Sequence, residues 1–133
     1  MILLFEIAGW SLIVLALVHA GFPRRFRWRQ QLAGCDLLTR QMFYVHTFFI
    51  ALMVALMGLL CILAAEDLMG TRLGRLCCLG MAIFWGARLF IQFIGYSPQL
   101  WRGKVFETAM HICFAVYWAL LTLFFVAASF HGE

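Results

Sequence analysis

Three histidines carry most of the chemistry that this chain could perform. His19, His46 and His111 each fall near one end of a long apolar run. Each is accompanied by groups able to pair with it or with a bound ligand: Arg40 and Gln41 ahead of His46, Arg88 and Gln92 four apart, and Glu107 four ahead of His111. Neutral imidazole is the commonest metal ligand and also moves protons near neutral pH. Residues four apart share a helix face, which pairs Arg88 with Gln92 and Glu107 with His111. A charge at mid-membrane costs ~2.5–3.5 kcal/mol on insertion scales, so polar residues converging within apolar runs mark a candidate site.

Several chemistries fit those residue types. Two neutral histidines on facing helices at equal depth can ligate one b-type haem iron. His46 and His111 are the best-matched pair, with His19 a third candidate, Arg40 and Arg88 opposite propionates, Gln92 beside them, and Phe43, Phe84 and Phe114 along the ring. In span count the layout resembles the four-helix membrane cytochromes b. The larger di-haem members hold histidines near both membrane faces, whereas this chain has one layer. One haem at most would fit, with electron delivery to a quinone as its role; a quinone alone is an alternative cofactor. A bare metal is a second reading, because His19, His46, His111 and Glu107 would make a four-coordinate set for zinc or copper. A carboxylate-bridged di-iron site needs more acidic residues at Glu-x-x-His spacing than are present.

Two readings involve no resident cofactor. In one, the polar cluster is a hydrogen-bonded plug that fixes helix order in a non-enzymatic subunit of a larger membrane complex; interhelical polar contacts average only ~0.6 kcal/mol but specify geometry. In the other, Arg88 at depth serves a small anion transporter. Nucleophilic catalysis is not supported, since Ser11, Ser97 and Ser129 sit in no elbow motif and no phosphate-binding glycine loop occurs. The residues name no reaction, so they do not establish an enzyme.

The elements that must position these side chains follow from composition. Of 133 residues, 65% are hydrophobic and 12% charged, against roughly 45–50% and 25% in soluble domains. A bilayer span needs ~20 predominantly apolar residues. Four such runs fit, at 2–22, 41–64, 76–96 and 105–130, and use most of the chain. The expectation is one all-α domain over 1–133, a four-transmembrane-helix bundle of up-down topology with both termini outside. Pro23 is expected to end the first span, and Ser97-Pro98 the third.

Charge placement orients the spans. Ten Lys and Arg are present; seven are Arg24, Arg25, Arg27, Arg29, Arg40, Arg102 and Lys104. By the loop-charge rule, loops 23–40 and 97–104 are cytoplasmic, in a membrane expected to be a bacterial inner membrane. Arginines interleaved with Phe26, Trp28 and Leu32 suit a segment at headgroup level whose default partner is anionic lipid. A membrane-protein partner or homo-oligomer is also expected, and nucleic acid is not. The five cysteines (Cys35, Cys61, Cys77, Cys78, Cys113) are odd in number and form no Cys-x-x-Cys, so they read mainly as buried small hydrophobes. Ala51, Ala55 and Gly58 make a small-residue packing stripe.

With boundaries at Phe22, Gln41, Tyr96 and Val105 and a rise of ~1.5 Å per residue, His19 lies ~4–5 Å inside the membrane, His46 ~7–8 Å, Gln92 ~6 Å, Glu107 ~3 Å, His111 ~9 Å and Arg88 ~12 Å. Arg88, the deepest charge, is expected to pair with Glu107, through Gln92 or His111.

Overall fold

The computed structural model describes residues 1–131, and those residues form helices and turns without a strand. The helices are α1 (Ile2–Arg25), α2 (Trp28–Gln31), α3 (Leu37–Leu63), α4 (Ala65–Gly70), α5 (Arg72–Ile94) and α6 (Val105–Ser129), with a 3₁₀ turn at Pro98–Leu100. α1, α3, α5 and α6 are long and apolar enough to cross a membrane. Most of their large apolar side chains point outward, as hydrocarbon requires of a spanning helix. The chain divides into two compact units, one over Met1–Ala65 and the other from Glu66 onward.

The first unit is a pair of long helices. Residues of α1 buried at Phe5, Ala8, Gly9, Leu12, Leu15 and Ala16 recur at helical spacing along one face. Gly9 meets Gly58 of α3, while His19 and Ala20 lie near Thr47 and Ala51, so the helices run antiparallel. A Cβ on Gly9 would lie 2.7 Å from the Gly58 carbonyl oxygen, and one on Gly58 would lie 2.8 Å from that of Gly9. This is the packing that small residues permit between membrane helices. Val54, Gly58 and Cys61 are buried on α3, but no residue from Leu37 to Met53 is. The seam is therefore tight at the Gly9 end and loose at the other.

Two boundaries differ from the hydropathy reading. Pro23 lies inside α1 rather than ending it. In the last turn a proline costs only one backbone donor, and Phe26 N–H still reaches the Phe22 carbonyl at 2.9 Å. α1 therefore ends with Arg24 and Arg25 in its last turn, where cations complement the helix dipole. α3 begins four residues before the expected Gln41, because the Asp36 side chain caps it by accepting from Thr39 N–H at 3.2 Å. At 27 residues it is about 40 Å long, longer than the ~30 Å hydrocarbon core.

The second unit pairs α5 with α6. Trp85 stacks on Trp118 at 5.1 Å and 9°, and Gln92 meets His111, so these helices are also antiparallel. α5 likewise starts early, at Arg72, because Thr71 caps it: its oxygen accepts from Gly74 N–H at 2.8 Å while its hydroxyl donates to the Asp67 carbonyl at 2.8 Å. Gly74 is required there, since a Cβ would run into the backbone of Asp67 and Leu68. The stretch expected as a loop is thus a helical corner with α4 folded onto the start of α5.

Candidate functional site

Gln92 is the one buried polar side chain among the described residues, at 5% exposure. It sits between a cation and an imidazole. Arg88 Nη1 donates to Gln92 Oε1 at 3.2 Å, and Gln92 Nε2 lies 3.0 Å from His111 Nδ1. Guanidinium has donors only, so it fixes the oxygen of the amide toward Arg88 and the NH₂ toward His111. His111 Nδ1 must then accept, and the ring hydrogen of the neutral imidazole resides on Nε2.

Aromatic faces hold the rest of this chain of contacts. The guanidinium carbon of Arg88 lies 5.2 Å from the Trp118 ring centre and 5.7 Å from that of Tyr96, and Nη2 donates to Tyr96 Oη at 3.4 Å. Such cation–π contacts contribute about 0.5–2 kcal/mol. Trp101 stacks on His111 at 4.6 Å and 15°. Its loop is anchored by Thr108, whose hydroxyl donates to the Trp101 carbonyl at 2.6 Å, and by a turn at Gly103, whose φ is +80°. The indole N–H groups of Trp85, Trp101 and Trp118 are buried without a hydrogen-bond partner among the described residues.

Glu107 does not neutralise Arg88. It is exposed in the first turn of α6, where a carboxylate complements the helix N-terminus, while Arg88 bonds to the neutral Gln92 and Tyr96. Among the described residues Arg88 makes no ion pair.

The other candidates lie in the first unit. His19 is half-buried and His46 exposed. Each donates Nδ1–H to the carbonyl four residues back, Leu15 and Met42 respectively, at 2.8 Å, leaving Nε2 as an acceptor. Arg40 is half-buried and Gln41 exposed in the second turn of α3. Where the helix pair loosens, a cleft of about 230 Å³ opens, lined by His19, Pro23, Trp28, Tyr44, Thr47 and Phe48 among others. Trp28, expected as an interfacial anchor, packs edge-on against Phe43 at 4.6 Å and Tyr44 at 5.6 Å and closes one wall.

These geometries bear on the cofactor readings. A histidine that ligates through Nε2 ordinarily gives Nδ1–H to a second partner. His19 and His46 have that form, and His111 has the opposite one. Ligation by His111 Nε2 would require the Gln92 amide to turn over and face Arg88 donor to donor. Among the described residues no three His, Cys, Asp or Glu side chains gather as a metal would need. The expected four-ligand set draws on both units. Of the residues expected at the site, the structure joins Arg88, Gln92 and His111. Tyr96, Trp101 and Trp118 were not expected as members, although Trp118 stands seven residues beyond His111, on its helix face.

Comparison with known protein families, with curated proteins and with solved structures finds no match.

Proposed function

We propose that this small integral membrane protein binds an anionic, membrane-borne organic ligand, a carboxylate or a phosphate monoester, at Arg88. One observation carries the reading: a half-buried guanidinium in a spanning helix whose partners are all neutral. A charge in that setting is ordinarily paired. A half-buried guanidinium without an anionic partner suits an acceptor-only anion, and arginine binds carboxylate and phosphate in a two-pronged geometry. Basic loops 23–40 and 97–104 face the cytoplasm in this reading, with anionic lipid against the first.

The test is tryptophan fluorescence in nanodiscs, with Trp10 and Trp28 replaced by Phe so that emission comes from the second unit. A brominated fatty acid should quench saturably, and its methyl ester should not. Arg88→Gln should weaken acid binding about tenfold or more, the worth of a charge-assisted hydrogen bond. Equal quenching by acid and ester, or by wild type and variant, would overturn the reading. The polar chain would then serve helix packing within an assembly.

A further inference from the structure

We infer that the cleft of the first unit is a second binding site, and that it takes the hydroxyl head of a membrane-soluble phenol or quinol. The volume, about 230 Å³, exceeds the ~150 Å³ of an apolar cavity known to admit benzene, so one substituted ring fits. Three walls are aromatic: Trp28, Tyr44 and Phe48. The polar feature that selects the ligand is His19. Its Nδ1–H is committed to the Leu15 carbonyl at 2.8 Å, and its ring rests against Phe22 at 4.7 Å. The tautomer is thereby set and Nε2 is an acceptor.

Thr47, on the facing wall, has given its hydroxyl hydrogen to the Phe43 carbonyl at 2.9 Å, so its oxygen too can only accept. Two fixed acceptors beside aromatic walls call for a ring that donates O–H. An oxidised quinone, whose oxygens only accept, would find neither of these two groups complementary and would be left with the Tyr44 hydroxyl and the Trp28 indole N–H as its only donors in the cleft. A carboxylate would face two lone-pair groups, and no arginine is among the lining residues. All its lining residues belong to the first unit, whereas Arg88 belongs to the other.

The experiment measures binding of durohydroquinone, duroquinone and the dimethyl ether of durohydroquinone to the full chain in nanodiscs. Saturation-transfer NMR against empty nanodiscs corrects for partition into lipid. The expected result is durohydroquinone binding about tenfold tighter than either analogue, the worth of a hydrogen bond to a desolvated acceptor. His19→Leu should remove that preference. His19→Gln, which retains an acceptor, should restore part of it, with thermal unfolding of both variants checked against wild type. Equal binding of the diol and its ether, or a preference that survives His19→Leu, would overturn the proposal. Arg88→Gln should leave it unchanged, so failure here is separable from failure at Arg88.

Discussion

Gln92 donates its amide N–H to His111 Nδ1 at 3.0 Å, and Arg88, on the other side of the same amide, decides which way it points. A donor-only group at one end thus selects the tautomer at the other. In ¹⁵N spectra of labelled protein, His111 should show an unprotonated Nδ1 and a protonated Nε2, while His19 and His46 show the reverse. Gln92→Leu should leave His111 a mixture of tautomers and destabilise the protein by about 1–3 kcal/mol, as expected when buried donors and acceptors lose partners. An unchanged His111 spectrum in that variant would break the chain of inference from Arg88.

Trp118 supplies Arg88 with a π face at 5.2 Å and Trp85 with a stacking partner at 5.1 Å. Trp118→Phe keeps a ring in place and should cost less than Trp118→Leu, which loses both contacts. The difference should be about 1 kcal/mol or more, from the cation–π and aromatic-pair contributions. Reversible unfolding in mixed micelles would measure it.

The glycine seam of the first unit gives a sharper contrast. Gly58→Ala places a methyl 2.8 Å from the Gly9 carbonyl oxygen, whereas at Gly80 nothing lies within 4 Å. Gly58→Ala should destabilise by about 1–3 kcal/mol, the range for overpacking. Gly80→Ala should be neutral or stabilising, since alanine is the better helix former by about 1 kcal/mol. Equal behaviour of the two variants would mean that α1 and α3 do not meet at these glycines.

At the corner before α5, Thr71→Val removes both the cap on Gly74 N–H and the bond to the Asp67 carbonyl. The expected loss is about 1 kcal/mol, typical of a helix cap. Thr71→Ser should recover most of it, because the hydroxyl, not the methyl, makes both bonds.

Cysteine labelling tests orientation. Cys35 lies outside the spanning helices, while Cys61 and Cys78 are fully buried. A membrane-impermeant maleimide should reach Cys35 from the cytoplasmic side alone, and should modify Cys61 and Cys78 only after unfolding. Labelling of Cys35 from the outer side would reverse the proposed topology.

The four spans were legible because hydrocarbon demands long apolar runs, and nothing else in so short a chain competes with that demand. Their starts were not. Hydropathy treats Thr39 and Arg40 as loop, yet the Asp36 cap winds them into helix, and Thr71 does the same ahead of α5. Pro23 was read by its general effect on helix interiors, which fades in a final turn. At the site, the Arg88–Gln92 pair followed from spacing within one helix. Its link to His111 depends on the register of two antiparallel helices, which apolar composition leaves open. Glu107 was assigned to Arg88 by sign of charge, but the exposed N-terminus of α6 already accommodates it. Trp101, between Leu100 and Arg102 in a loop, carries no sequence signal for the imidazole on which it stacks.

The contact between Gly9 and Gly58 has a consequence for biogenesis. Both glycines, and the side chains of Ile13, Cys61 and Ile62 that surround them, belong to the unit that ends at Ala65. Translation runs at about 5–20 residues per second and domains tend to fold in order of synthesis, so the 64 residues that follow Ala65, up to Ser129, take about 3–13 s to add. During that interval the first helical hairpin has every partner its seam requires. It can close while the third and fourth spans are still unmade, and the order of synthesis becomes the order of assembly.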